Sequence, residues 1–358
     1  MNSTPQSGAG APAQRSERFH LWRSRKDNVA RRLIAFGGVS VIFAVVLIFF
    51  YLLWVVLPMF LPAGIEDRET ITQARWNSSE AVLLAIEEQQ EVGLRLSDRA
   101  ELEFFEIANG SALSTVELPI GGTTIERVAS TVEQNGQVAY LDNAGEVRVF
   151  NHRYDTQFAA GVESREIVPV LEFPLGEEVL MRWQGSTSVG MAFSDTDTGL
   201  AIGIAGEDGD LQVLVASKSE NFMTGEVSLE RSEHSKQTDI QPTGIEVSSN
   251  QRWLYVSDRQ GRIHQFALPT LERVASVETG DAAITSLKML LGGISLLAGT
   301  EDGRLLQLFP VRDEAQEFAL TMIREFEGSE HAWVDIIPEA RRKGFLALDA
   351  ADNLVIFH

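Results

Sequence analysis

Residues Val138–Phe150 read VAYLDNAGEVRVF: an apolar run, a turn carrying Asp, Asn and Gly, and a second run ending on Phe. Two short runs rich in β-branched and aromatic residues, joined by a turn of this composition, form a β-hairpin. Glycine and asparagine stand in the turn because hairpin turns demand positive φ. The unit returns as AIGIAGEDGDLQVL (201–214), WLYVSDRQGRIHQF (253–266), SLLAGTEDGRLLQLF (295–309) and FLALDAADNLVIF (345–357), with a weaker copy in GLRLSDRAELEFFEI (93–107). The turn glycines Gly145, Gly209, Gly261 and Gly303 stand 64, 52 and 42 residues apart, and Asn353 follows 50 further on.

One hairpin every 40–60 residues or so matches one hairpin per propeller blade, the other strands of each blade lying between copies. A β-sandwich turns every 8–12 residues or so without a long period. The expected fold is therefore all-β, a β-propeller-like (WD40/quinoprotein-like) repeat array over residues 76–358, with the strands around 181–193 faint in sequence. The last hairpin is cut at a strand, which predicts either an early strand pairing with the final blade or a longer polypeptide.

Ahead of the array, no charged residue occurs between Arg32 and Glu66. The stretch 33–57, LIAFGGVSVIFAVVLIFFYLLWVVL, is long enough as a helix to cross a hydrocarbon core of about 30 Å. Pro58 and Pro62 end the helix because neither can donate to its ladder. Tyr51 and Trp54 suit an aromatic interfacial belt. A signal h-region is shorter, and a soluble core helix of this length shows a polar face. The reading is an uncleaved anchor over 33–61, after a cytoplasmic basic tail (1–32) and before a linker (62–75).

Seven cations in residues 1–32 against Glu17 and Asp27 give +5, so with −21 overall the remainder carries −26. Lys and Arg stay on the cytoplasmic side, which predicts an inner-membrane protein with its amino terminus inside and its large domain in the periplasm. Residues 1–14 read as a disordered lead. Residues 15–32, with Phe19, Trp22 and Val29, suit either an anionic lipid surface or a plain solvated stop.

The acidic domain offers no continuous basic face for nucleic acid. Without cysteine there are neither disulfides nor thiolate metal sites. No P-loop, G-x-S-x-G elbow or H-E-x-x-H helix is present, and the six histidines (20, 152, 234, 264, 331, 358) are scattered. Asp195-Thr-Asp197-Thr-Gly199 departs from a calcium loop in the place of its glycine and in lacking the closing Glu. These absences predict a non-enzyme without cofactor or metal. Arg341, Arg342 and Lys343 form the most basic point of the acidic half and are the candidate partner contact, against the plainer reading of a solvated turn. Asn221–Glu226 reads as a compact turn in a polar loop.

Several segments together resemble the amino-terminal part of a bacterial ABC permease family, the long form of the phosphate-uptake (Pst-type) permease. They are FFYLLWVVLP (49–58), LLAIEEQQEVGLRLSD (83–98), MTGEV (223–227), QRWLYV (251–256), LLGGISLLAG (290–299) and RRKGFLALDAADNLVIFH (341–358). The resemblance runs from about residue 20 onward and includes no catalytic motif. It implies a periplasmic domain after the first membrane helix of a phosphate importer. Its partners would be a second permease, an ATPase and a phosphate-binding protein. The family's translocating helix bundle has no counterpart in this sequence, which implies a truncated or split permease. Architecture alone implies an alternative, an anchored propeller scaffold for envelope proteins.

Overall fold

The computed structural model describes residues 14–60, 79–131, 135–158, 165–220, 227–312, 318–339 and 344–357. The chain divides into two compact units, Met1–Arg68 and Glu69–His358.

Among the described residues the first unit is one helix, α1 (Gln14–Val56), closed by a 3-10 turn over Leu57–Phe60. It starts well before the 33–61 span read from hydropathy. No glycine or proline falls between Gln14 and Phe36, so the basic stretch propagates the helix as readily as the apolar one. Its segment Val29–Val56 has a mean hydropathy of 2.9 and none of it is buried. At 28 residues it is about 42 Å long, enough to cross a bilayer core with tilt.

The second unit holds six antiparallel sheets among the described residues, here blades 1 to 6. Blade 1 is β1 (Ala81–Ile86), β2 (Val92–Ser97), β3 (Glu101–Glu106) and β4 (Ala112–Glu117). Blade 2 is β5 (Ile125–Ser130), β6 (Gln137–Asp142), β7 (Glu146–Phe158) and β8 (Arg165–Glu172), with the short β9 (Met181–Arg182) added to β7. Blade 3 is β10 (Ser188–Asp195), β11 (Gly199–Gly206), β12 (Asp210–Glu220) and β13 (Val227–Gln237). Blade 4 is β14 (Pro242–Val247), β15 (Trp253–Asp258), β16 (Arg262–Ala267) and β17 (Glu272–Glu278). Blade 5 is β18 (Ile284–Met289), β19 (Leu296–Thr300), β20 (Leu305–Arg312) and β21 (Phe318–Glu325). Blade 6 has three strands among the described residues, β22 (Trp333–Pro338), β23 (Phe345–Asp349) and β24 (Leu354–Phe357).

Every hairpin unit legible in sequence is the second and third strand of its blade, so the propeller reading holds. The equivalent turn residues Ala100, Gly145, Gly209, Gly261, Gly303 and Asp352 all have positive φ. In the last copy it is Asp352, not the expected Asn353, that takes the left-handed conformation, at φ 62°. Asn353 instead donates from its backbone and its amide to Asp349.

The first strands pack side by side in the order β1, β5, β10, β14, β18, β22 and so form the inner wall. Each carries a bulge after its first residue, at Ala81/Leu83, Ile125/Arg127, Ser188/Gly190, Pro242/Gly244, Ile284/Ser286 and Trp333/Asp335. A bulge bends the strand and increases its local twist. Five apolar cores sit between successive blades. Phe104 and Tyr140 mark the first, Leu141 and Phe193 the second, Ala192 and Ile245 the third. Tyr255 and Leu287 mark the fourth, Leu297 and Trp333 the fifth. Among the described residues no such core joins blade 6 to blade 1.

Candidate functional site

One end of the array is built from the hairpin turns and the segments linking each blade to the next. The turn carbonyl of each of the first five blades accepts a backbone N–H from the following connector. The pairs are Leu118 to Ala100, Trp183 to Gly145, Thr238 to Gly209, Thr279 to Gly261 and Ser329 to Gly303, all at 2.8–3.0 Å. The turns themselves are clamped by a side chain. One carboxylate oxygen of Asp142, Asp258 and Asp349 accepts two turn N–H groups each, at 2.8–3.0 Å. Ser97 and Thr300 hydroxyls accept one each in blades 1 and 5.

The other oxygen of each aspartate reaches sideways. Asp142 Oδ2 accepts Gly121 N–H at 2.6 Å and lies 3.5 Å from Arg148. Arg148 also pairs with Glu146 at 2.6 Å, as does Arg182. Asp349 Oδ2 accepts from the Ser329 hydroxyl at 2.6 Å, and this bond first of all holds its carboxyl well below the usual carboxylate range. Asp258 Oδ2 lies 2.9 Å from His264 Nε2, while Ser276 Oγ lies 3.1 Å from His264 Nδ1. That constellation has the residue types of a hydrolytic triad, but blades 2 and 6 hold the same aspartate clamp without serine and histidine in line. Its repeat-equivalent position makes it a turn lock. Polar hollows of about 430 and 330 Å³ open beside blades 3 and 4 at this end, the first under Trp183 and His234, the second under Arg262 and Arg273.

On the inner wall, Glu246, Lys288 and Asp335 come from the adjacent strands β14, β18 and β22. Burial pushes the Glu246 carboxyl up to about 7, with Lys288 opposing and Asp335 reinforcing the shift. At the junction of blades 1 and 2, His152 lies tilted to Phe150 and edge-on to Tyr154, and burial lowers its pKa to about 4.

The inner strands of blades 3 to 6 differ from that of blade 1. Met191, Ile245, Leu287 and Ile336 occupy the fourth position of their inner strands and are buried against the preceding blade. The equivalent Leu84 of blade 1 is 67 % exposed, and Ile86 two residues on is 63 % exposed. In blade 6, Leu354 is 43 % exposed where its blade 5 equivalent Leu305 is fully buried. Leu346 and Leu348 are half-buried where Leu297 and Gly299 are buried. Covering a leucine or isoleucine is worth about 1.5–3 kcal/mol, so these positions of blades 1 and 6 form an apolar surface that is uncovered among the described residues.

The candidate residues from sequence distribute unevenly. Arg341, Arg342 and Lys343, and the Asn221–Glu226 turn, lie outside the described residues. Asp195 of the calcium-like segment pairs with Lys218 at 2.5 Å, and Thr196 and Gly199 close a tight turn. His152, His234 and His264 lie in blades 2, 3 and 4. Sequence reading missed the clamps, although Asp142…Arg148 and Asp258…His264 share a six-residue offset that could have revealed them.

No family model and no curated protein matches the chain. Solved structures do. A chain of the mitotic checkpoint complex matches with a TM-score of 0.50 at 11 % identity, covering 79 % of this chain and 75 % of that one. The Dos1 propeller matches with a TM-score of 0.50 at 8 % identity, covering 78 % of each. At these identities the likeness concerns the fold: the domain is a β-propeller.

Proposed function

We propose that the chain is a membrane-anchored, non-catalytic propeller that works by docking other polypeptides. The observation that carries this reading is the propeller itself, an array of six antiparallel sheets among the described residues. The acidic clamps support it from the other side, since their carboxylates are engaged in holding turns. The helix, with its basic lead and acidic sequel, supports an inner-membrane anchor with the propeller in the periplasm. A reporter enzyme active only in the periplasm, fused after residue 75, should be active; activity of a cytoplasmic reporter there would reverse the orientation.

The more specific reading, the amino-terminal portion of a phosphate-type ABC permease, rests on the sequence segments quoted above. It names the second permease, the ATPase and the phosphate-binding protein as partners, with Arg341, Arg342 and Lys343 as a contact. Solubilised full-length chain should then co-purify with those subunits, and the triple alanine variant should lose one of them. Recovery of envelope-assembly proteins instead would favour the scaffold alternative. In both readings the propeller takes no part in phosphate capture, so calorimetry with inorganic phosphate at low salt should give no heat. Micromolar binding would overturn that.

A further inference from the structure

We propose that a hollow between blades 4 and 5 binds a proline-containing segment of a partner polypeptide, held in the extended polyproline II conformation. This rests on the docking reading and narrows it to one pocket and one kind of peptide. The hollow measures about 220 Å³ and lies at the end of the array away from the hairpin turns. Blades 4 and 5 each have four strands, so it lies inside the array and not at either end of it.

Three observations select the occupant. First, its aromatic wall is not a product of the repeat. β15 supplies Trp253 and Tyr255, β20 supplies Phe309 and β21 supplies Phe318. At the two β15 positions, blades 2, 3 and 5 carry Gln137 and Ala139, Ala201 and Gly203, and Ser295 and Leu297. Second, the donors on this wall are unused. The Trp253 indole N–H and the Tyr255 hydroxyl have no hydrogen-bond partner among the described residues, although Tyr255 is only 2 % exposed. Elsewhere Trp183 and Trp333 donate to the carbonyls of Ser186 and Gly303 at 2.8 and 2.9 Å, and Tyr140 to that of Pro119 at 2.7 Å. Buried tryptophan and tyrosine ordinarily find such a partner. The exposed Arg252 guanidinium at the rim is likewise unpaired among the described residues. Third, the side-chain acceptors here are already taken. Asn250 Oδ1 accepts the Ser248 hydroxyl and the Arg252 backbone N–H, and Ser248 Oγ accepts the Trp253 backbone N–H.

A ligand for this wall brings ring-sized apolar bulk and bare carbonyls. Proline has both, because its ring replaces the backbone N–H. In polyproline II the carbonyls make no internal hydrogen bonds, and aromatic-lined grooves recognise such segments. A β-strand would bring N–H groups that find no open side-chain acceptor here. A lipid tail would leave the indole and phenol donors unpaired. Arg312 lies over the Phe318 ring at 4.9 Å from its centroid and braces that side of the wall.

The test titrates the detergent-solubilised full chain with fluorescent decaproline and with a glycine–serine peptide of equal length, read by anisotropy. Decaproline should bind at least tenfold more tightly than the control. Tyr255→Phe removes only the unpaired hydroxyl, so it should weaken decaproline at least fivefold while leaving the unfolding midpoint unchanged. Equal binding of the two peptides, or undiminished binding by the Tyr255→Phe chain, would overturn the proposal. In native membranes a photo-crosslinking phenylalanine analogue is then placed singly at Ile294 on the wall and at Leu113 in blade 1, both exposed. Ile294 should link to a proline-containing peptide of another protein, identified by mass spectrometry. Linkage there to lipid, to this chain or to a proline-free sequence would overturn the proposal. Partner adducts at Leu113 with none at Ile294 would remove the hollow and leave the docking reading intact. No protein adduct at either position would remove both.

Discussion

Blades 5 and 6 are near-copies in pattern and opposites in circumstance. Each presents an inner strand with a bulge, a hairpin, and a polar side chain clamping the turn. In blade 5 the third strand is covered by β21 on its edge and by blade 6 on its face; in blade 6 neither cover is present among the described residues. The hydrophobic positions are the same, and their exposure is not. Burial in this architecture is conferred by the neighbour, while the sequence of a blade only makes it eligible.

The sharpest way to break this comparison is to truncate the same position in both blades. Leu305→Ala should cost about 2–5 kcal/mol, the usual penalty for a cavity in a packed core. Leu354→Ala should cost less than about 1 kcal/mol in the isolated full-length chain. Chemical denaturation in detergent, followed by tryptophan fluorescence, compares the two. Equal costs would mean that blade 6 is covered after all.

Two titrating groups extend the point to charge. His152 keeps a pKa near 4 in the folded chain against an ordinary value of 6.5, so its neutral form is favoured by folding. Its contribution is present above pH 6.5 or so and is lost as pH falls toward 4, by up to about 3 kcal/mol. Glu246 has the opposite sign. Its folded pKa near 7 exceeds the ordinary 4.5, so its contribution is present below about pH 4.5 and is lost as pH rises through 7, again by up to about 3 kcal/mol. The two slopes oppose each other between pH 4.5 and 6.5 or so. Glu246→Gln should leave a stability that climbs with pH, and His152→Asn one that declines. Unfolding midpoints across that window distinguish them, and parallel profiles would refute both assignments.

A smaller effect separates the turns. A β-carbon on Gly303 would stand 2.0 Å from the Ser329 carbonyl oxygen, and φ there is +82°. Gly303→Ala should destabilise by about 1–3 kcal/mol. At the equivalent Asp352, Asp352→Gly should stabilise by a few tenths to about 1 kcal/mol, because glycine adopts positive φ without strain. Thermal unfolding of both variants in detergent measures the difference.

The hairpins were legible because their strands are packed on both faces and their turns demand Gly, Asn or Asp. The inner strands were not, since Arg127, Glu246, Lys288 and Asp335 interrupt their apolar pattern. Outer strands such as β13, VSLERSEHSKQ, are largely exposed and polar, so they carry little apolar pattern. The exposure of Leu354 was invisible to pattern: LVIF looks like any buried strand. The clamps escaped because one repeat uses serine and another threonine where three use aspartate, so no single residue type marks the position.

The carbonyl-to-connector hydrogen bonds impose a timetable. Gly209 is locked by Thr238, Gly261 by Thr279 and Gly303 by Ser329, each lock arriving 18–29 residues after the turn it closes. At about 5–20 residues per second of synthesis, a blade therefore waits on the order of one to six seconds for its lock. Folding proceeds as a ratchet with one unlatched blade always at the growing front, and a ribosomal pause just before a connector would hold that blade open for chaperones or proteases to inspect.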